Sequence, residues 1–525
     1  MKKSLTGARQ RTISFALKVA ALLVGINFLA ACAVTPKALD ASELGIYAQD
    51  KMDRVTAGQE PITHSISLYE AIARALKYNL DQKVELVQQT LRVKELNLSN
   101  YSGLPSFVAN SGYAGRSNDY GSTSISLLSQ KQSLEASTGQ ERQDLASDVT
   151  LSWNILDFGL SYVRAQQASD QVLIAGETRR KVLSRIVEDV RTAYWRAVTS
   201  EHLVARLHSL EARTKRAIVD SHKLFEDKLT SPVTALTYER ELIEIQREAQ
   251  RIDGELKIAR SQLAALMNLP PDARYSLNTS HGGAPALHLG KSTRELVKIA
   301  LENRSEMREV IYKTRINAKE AEAALLGLLP GINVFLGVDA DTNKYLYNSN
   351  WIGWGAKASW NLMKVFQYPQ TQAVIDGQDR LLDERALALT MAVMTQVHVS
   401  RVRFAHAQDE LKTAGQYKDV QHKLIEQMRA SAQTDKISEQ TLIREEMNLV
   451  VGDVKYDLAY ANVQNAYANI FASLGLDAFP ADDIGTTSVK DLAGKLRKTW
   501  VALGNLSVIK PIVPESISPI VAASK

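Results

Sequence analysis

Two patterns in this sequence occur twice at a constant distance. The tripeptide Ser-Trp-Asn at 152–154 returns at 359–361, and the apolar segment 263–269 returns at 470–476. Both pairs have the same offset (359 − 152 = 207; 470 − 263 = 207). An offset that stays constant across more than a hundred residues (263 − 152 = 111) indicates an internal tandem duplication without a net gap. We therefore expect one architecture that is used twice.

A long helical stretch follows each copy of the tripeptide. No proline interrupts the first stretch, from about Leu160 to Phe225, and Pro369 is predicted to begin the second. After a short break, Ser231-Pro232 suits the N-cap and first position of a returning helix. At 1.5 Å per residue, a helix of about 65 residues is roughly 100 Å long.

Apolar and small residues recur along these helices at alternating steps of three and four, which is the pattern of a left-handed coiled-coil seam. Such seams need partners, and we expect other copies of the chain among them. The seam of the first long helix consists of Leu183, Ile186, Val190, Ala193, Ala197, Ser200, Val204 and Leu207. The seam of the returning helix consists of Leu242, Ile245, Ala249, Ile252, Leu256, Ala259, Leu263 and Leu266.

Four short strands are predicted before the long helices, as two hairpins. One helix, over 68–98, precedes the first hairpin. The Leu-Pro pairs at 104–105 and 329–330 are 225 residues apart, so the first hairpin loop is 18 residues longer (225 − 207). Isolated hairpins are marginal in water, and in lipid only closed barrels satisfy the backbone. The strands must therefore pair with those of other subunits. They are predicted at 106–113, 148–155, 332–338 and 354–362.

The N-terminus has the features of a targeting segment. Basic residues precede a short apolar core, which ends in Leu-Ala-Ala-Cys at 29–32. Cys32 is the only cysteine. A plain secretory signal with a buried thiol is one interpretation. The motif also looks like a bacterial lipobox, which implies cleavage before Cys32, lipid attachment to it and, with Ala33 next, sorting to the outer membrane.

The composition and motifs exclude several classes of function. The 63 basic residues are balanced by 58 acidic ones and intermixed with them, so no nucleic-acid partner is predicted. The nine histidines include no His-Glu-x-x-His motif, and no second cysteine could complete a zinc site. The sequence has no phosphate-binding Gly-x-x-x-x-Gly-Lys-Ser/Thr loop. We predict that the protein is not an enzyme and has no metal or cofactor.

From about Ser67 to Leu476 the chain resembles the TolC family of outer-membrane efflux proteins. The resemblance rests on the lipobox, the duplicated element order, Ser-Leu-Tyr-Glu-Ala-Ile-Ala-Arg-Ala-Leu at 67–76, and the paired Leu-Pro and Ser-Trp-Asn motifs. It implies a mainly α fold with a small β part. In a homotrimer, four strands per chain would form one transmembrane β-barrel, and the long helices would form a coiled-coil α-barrel across the periplasm.

The resemblance also implies a function and partners. The trimer would be the outer-membrane channel of a tripartite efflux or secretion system, with a periplasmic adaptor protein and an inner-membrane pump as partners. It would be a passive exit duct for small molecules or proteins, driven by the pump. The alternative is a non-conducting, structural coiled-coil envelope protein. The domain boundaries are a lipoprotein signal peptide at 1–31, a linker without clear period at 32–63, a first repeat at 64–285, a second repeat at 286–479 and a tail at 480–525.

The candidate sites lie at the two ends of the long helices. Each long helix leaves a strand and each shorter helix runs back, so both inter-helix breaks should lie together, far from the strands. The predicted periplasmic gate consists of Asp227, Asp435 and Glu439, and the predicted adaptor contact of Leu229, Thr230, Ser231, Ile437 and Ser438. A threefold ring of Asp435 would favour cations, unless Lys228 and Lys436 neutralise it. The predicted membrane girdle, or alternatively a soluble sheet core, contains Trp153, Trp351, Trp354 and Trp360.

Overall fold

The chain forms two units in the computed structural model, residues 1–59 and 60–525. The structure describes residues 37–226, 231–270, 272–279, 292–432, 438–476 and 484–503. Cys32 and the predicted signal peptide lie outside these residues.

The first unit contains helix α1 (Ala41–Val55), where the sequence predicted a linker without a clear period. Asp40 and Glu43 form a reciprocal capping box at its start. No residue of α1 is buried, so the helix lacks the apolar face that would reveal it in the sequence.

The second unit repeats one element order. The first series is α2 (Leu68–Tyr78), α3 (Leu80–Tyr101), β1 (Ser106–Gly115), β2 (Gln143–Asn154), α4 (Ile155–Glu226) and α5 (Pro232–Leu266). The second is α6 (Thr293–Asn303), α7 (Ser305–Leu326), β3 (Gly331–Asp341), β4 (Asn350–Ser359), α8 (Met363–Ala432) and α9 (Glu439–Ser473). Helix α10 (Val489–Leu503) follows.

The element starts place the length difference between the two series. From α2 to β1 they differ by 225 residues (293 − 68; 331 − 106), whereas those of β2 and α5 differ by 207 (350 − 143; 439 − 232). The β1–β2 loop therefore carries the 18 additional residues, as predicted. A common origin of the two series by duplication remains a prediction.

The single helix predicted over 68–98 is instead two helices. Asn79 between them is extended (φ −58°, ψ 134°), and its side-chain oxygen accepts from the Asp81 N–H (3.0 Å). Its side-chain amide donates to the Leu266 carbonyl at the end of α5 (3.3 Å). Arg304 makes the same break between α6 and α7 (φ −69°, ψ 134°). The break depends on tertiary contacts, which helical periodicity does not report.

Both long helices begin earlier than predicted because an asparagine caps each one. The Asn154 side chain accepts from the Leu156 N–H (3.1 Å), and the Asn361 side chain accepts from the Met363 N–H (3.2 Å). Pro369, the predicted start of α8, lies inside the helix. It falls in the second turn, where it removes only one backbone hydrogen bond.

The returning helices α5 and α9 end in the same way. Asn268 (φ 60°) and Gly475 (φ 68°) occupy matching left-handed positions (475 − 268 = 207). In both, the next N–H donates to the carbonyl five residues earlier (2.8 and 3.0 Å), as in a Schellman motif. A Cβ at Gly475 would lie 2.7 Å from the backbone of Arg304, so this end of α9 requires glycine.

The four strands form one antiparallel sheet in the order β1-β2-β3-β4. The two predicted hairpins are present, and pairing of β2 with β3 joins them. The predicted helix seams are confirmed, since most of their residues are buried and the remainder are partly buried: Leu183, Ile186, Val190, Leu207, Leu242, Ile252, Leu256 and Leu263 are among the buried ones.

Helix α10 packs against the middle of α4. Arg191 of α4 is 3% exposed, and its guanidinium lies 4.3 Å from the ring centroid of Trp500 in α10. Burial lowers the pKa of Arg191 to about 10. Arg191 is 36 residues from the start of α4 (191 − 155), which corresponds to about 54 Å at 1.5 Å per residue.

Candidate functional site

The predicted entrance residues fall at the breaks between the long and the returning helices. Asp227, Leu229, Thr230, Asp435 and Ile437 lie outside the described residues, together with Lys228 and Lys436.

Two serines were predicted to cap the returning helices. The hydroxyl of Ser438 accepts from the Thr441 N–H (3.3 Å) and caps α9. Ser231 occupies the N-cap position of α5 before Pro232, but its side chain makes no capping hydrogen bond. Ser231 is exposed, so water can satisfy the first N–H groups of α5 in its place.

Contacts across the helices place both breaks at the same end. Arg213 lies thirteen residues before the end of α4 (226 − 213) and donates to Glu439, the first residue of α9 (Nη2–Oε1 2.7 Å). Ser221 of α4 donates to the Ala235 carbonyl near the start of α5 (3.4 Å). Since α4 has 72 residues, about 108 Å of helix separates this end from the strands. The predicted chain path is confirmed.

Glu446 forms an ionic contact between three helices. Its side chain is 11% exposed and accepts from Arg213 of α4 and from Arg429 of α8 (Nη2–Oε1 3.1 Å). Burial of Arg213 lowers its pKa, but hydrogen bonds and the charges of Glu439 and Glu446 outweigh burial and raise it. Glu439, which was predicted as a gate carboxylate, is thus paired with a base.

A second ionic contact lies farther along the same helices. Asp453 of α9 has a side chain that is 6% exposed. It accepts from Arg206 of α4 (Nη1–Oδ2 2.6 Å), and its other oxygen lies 3.0 Å from His422 Nε2 of α8. Lys418 adds a third positive charge at 3.7 Å.

We call these contacts the charge ladder: Arg206, Arg213, His422, Arg429, Glu439, Glu446 and Asp453. Its members recur every seven residues: the acids of α9 at 439, 446 and 453, the bases of α4 at 206 and 213, and those of α8 at 422 and 429. Sequence reasoning identified only Glu439. The heptad spacing of like charges on each helix was the signal that could have revealed the others.

The sheet has two chemically different faces, because side chains alternate along each strand. One face is mostly apolar and matched across the strands: Phe107, Ala109, Val149, Leu151, Val334, Leu336, Val338, Ile352, Trp354 and Ala356. The other is mostly polar: Ser106, Asn110, Asp148, Thr150, Ser152, Asn333, Asp339 and Lys357. In a single copy the apolar face is uncovered, and Trp354 is 80% exposed.

The four candidate girdle tryptophans are not on one face. Trp153 and Trp360 lie at the helix end of β2 and β4, where their indole N–H groups donate to carbonyls of the segments before β1 and β3 (3.1 and 2.8 Å). Trp354 lies on the apolar face in the middle of β4. Trp351 is three residues from Trp354, an odd step, so it lies on the polar face opposite Asp339. Alternation thus separates Trp351 from the other three.

The described residues contain no group of three or more His, Cys, Asp or Glu side chains that could hold a metal ion. None of the described helices has a stretch long and apolar enough to cross a membrane.

The sequence alone matches no family model and no curated protein significantly. The structure is similar to solved outer-membrane channels. The Campylobacter jejuni CmeC outer membrane channel is 13% identical with a TM-score of 0.60, over 89% of this chain and 98% of CmeC. CusC, described as forming a transmembrane channel, is 15% identical with a TM-score of 0.60, over 80% of this chain and 96% of CusC.

The open state of the Neisseria gonorrhoeae MtrE outer membrane channel is 13% identical with a TM-score of 0.56, over 80% of this chain and 91% of MtrE. In each case nearly the whole of the other protein is matched. Because the identities are low, the likeness is one of fold. The chain has the fold of the TolC-family outer-membrane efflux channels.

Proposed function

We propose that the protein is the outer-membrane channel of a tripartite efflux or secretion system. It provides a passive exit duct for small molecules or proteins, and an inner-membrane pump supplies the energy. The sheet with one apolar and one polar face carries this proposal. A wall between lipid and water needs both faces, whereas a coiled-coil spacer without a pore needs neither. The structural neighbours are channels and not enzymes, which supports a role without catalysis.

We propose that three copies complete the wall. Within the described residues β1 and β4 each pair on one side only, so each leaves a backbone edge open. In lipid such an edge must pair with another copy, because no water is present to satisfy its N–H and C=O groups. Three copies would contribute twelve strands (3 × 4). Apolar side chains that are exposed on α8 in a single copy support contacts between the helices of different copies as well: Leu387, Met391, Met394 and Val402.

The orientation follows from the two faces of the sheet. We place the sheet in the outer membrane with Trp153, Trp354 and Trp360 toward lipid and Trp351 toward the lumen. A lipid on Cys32 would anchor the chain to the same membrane. The long helices then extend into the periplasm, toward the adaptor protein and the pump.

The end with the helix breaks is the proposed periplasmic entrance. The charge ladder joins α4, α8 and α9 near this end, so moving α8 and α9 away from α4 must break its ion pairs. Asp227 and Asp435 remain the candidate carboxylates of the constriction, and Glu439 serves in the ladder. We propose that the adaptor binds at the helix breaks and supplies the energy that separates the ladder: Leu229, Thr230, Ser231, Ile437 and Ser438 are the candidate contacts.

Planar-bilayer recordings of the purified protein test the proposal. A channel gives discrete conductance steps, whereas a structural spacer gives none. Mass measurement of the same preparation in detergent should find a trimer. A protein that is monomeric and silent in bilayers would contradict both the assembly and the channel function.

A further inference from the structure

Helix α10 has one apolar side and one basic side. Its buried residues follow helical spacing: Val489, Leu492, Leu496 and Trp500. Its exposed basic residues lie on the opposite side: Lys490, Lys495, Arg497 and Lys498. The single acid of the helix is Asp491, whose carboxylate accepts from the Ser488 hydroxyl at the N-terminus (2.7 Å). The exposed face therefore carries a concentrated positive charge.

This face differs from the charged faces of the other helices. On α5, for example, Arg251 is held between Glu248 and Glu255 (both 2.6 Å), so the charges are balanced along the helix. Lys490, Arg497 and Lys498 form no ion pair with any residue that the structure describes. A helix face with one sign of charge attracts anions over a distance, whereas a face with alternating signs does not.

The position of α10 restricts what the face can meet. It packs at Arg191, about 54 Å along α4 from the sheet at 1.5 Å per residue. With the sheet in the outer membrane, lipid headgroups are out of reach. The stacking of Arg191 on Trp500 and the buried apolar side hold α10 against the core, so its basic face is presented on a rigid support.

We propose that the basic face of α10 binds peptidoglycan, the cell-wall polymer of the periplasm, through the carboxylates of its peptide stems. This inference rests on the outer-membrane placement proposed above. A protein partner is less suited to this face, because protein interfaces centre on large apolar and aromatic side chains. The face offers only Val501, which is 71% exposed. A flexible polymer with repeated carboxylates requires only matched charges.

Co-sedimentation of the purified channel with isolated Gram-negative sacculi tests the proposal. We expect the wild type to sediment with sacculi at low salt and to be released as salt screens the charges. The triple variant Lys490→Gln/Arg497→Gln/Lys498→Gln should bind at least tenfold more weakly. Its folding should be unaffected, since all three side chains are exposed. Sacculi whose carboxylates have been amidated should not bind the wild type.

A matched variant controls for net charge. Lys94→Gln/Lys131→Gln/Lys412→Gln removes the same charge from exposed positions outside α10 and should bind like the wild type. Equal binding of the α10 variant and the wild type would overturn the proposal, and so would a photo-crosslinker at position 498 that captures a protein instead of glycan in cells. Bilayer conductance of the same preparations separates the two hypotheses: channels that conduct but do not bind sacculi refute only the role of α10.

Discussion

Replacing Glu446 by glutamine should open the periplasmic entrance. The change removes the carboxylate shared by Arg213 and Arg429. Breaking a fully buried ion pair from one side costs about 3–5 kcal/mol. Arg429 is 55% exposed and Arg213 keeps Glu439, so solvent and the remaining pair reduce the cost to about 1–2 kcal/mol per copy. In a trimer these costs add to about 3–6 kcal/mol, which shifts the equilibrium toward the open state by about 10²–10⁴.

Single-channel recording in planar bilayers measures this shift as a larger conductance or open probability. Glu320→Gln is the matched control, because Glu320 accepts from Arg164 (Nη1–Oε2 2.6 Å) near the sheet end of α4. Adding Arg213→Gln to Glu446→Gln should recover part of the wild-type behaviour by removing one unpaired charge. Wild-type conductance in Glu446→Gln, or an equal change in Glu320→Gln, would refute the assignment of the ladder to the entrance.

Three further substitutions test other parts of the argument. Cys32→Ser should abolish metabolic lipid labelling and leave an uncleaved or mis-sorted precursor; normal processing would rule out the lipobox. Asp435→Ala should lower the cation preference of the channel in reversal-potential measurements, whereas Asp119→Ala in the β1–β2 loop should change it less; an unchanged preference places the constriction elsewhere. Gly475→Ala should destabilise the protein by about 3 kcal/mol, since its Cβ would overlap backbone at a left-handed residue. Asn268→Gly should stay within a few tenths of a kcal/mol in the same thermal unfolding experiment.

The elements with strong periodicity were predictable from the sequence. The coiled-coil seams, the two hairpins and the longer first loop all follow from local patterns and fixed offsets. The breaks at Asn79 and Arg304 were not predictable, because each depends on a chain segment distant in sequence: Asn79, for example, bonds to the end of α5. Helix α1 escaped prediction because it buries nothing, and caps alone are a weaker signal than an apolar face.

The candidate site was predictable in location but not in its pairing. The antiparallel path placed both breaks at one end, because each returning helix must reverse its direction. The partners of Glu446 could not be read locally, since Arg213 is 233 residues away along the chain. Trp351, by contrast, was misplaced through neglect of alternation: an odd step from Trp354 already puts it on the opposite face of β4.

The unequal loops and equal helices divide the molecule into regions that differ in tolerance to insertion. One residue added inside α4 or α8 would rotate the rest of the seam by about 100°, since a helix has about 3.6 residues per turn. The β1–β2 loop already holds 18 more residues than its counterpart without altering the strand pairing around it. Its segment around Leu128, a residue that is almost fully exposed, is therefore a suitable place for an epitope tag or a displayed peptide. On an intact cell, an antibody against such a tag would report which side of the membrane the loop faces.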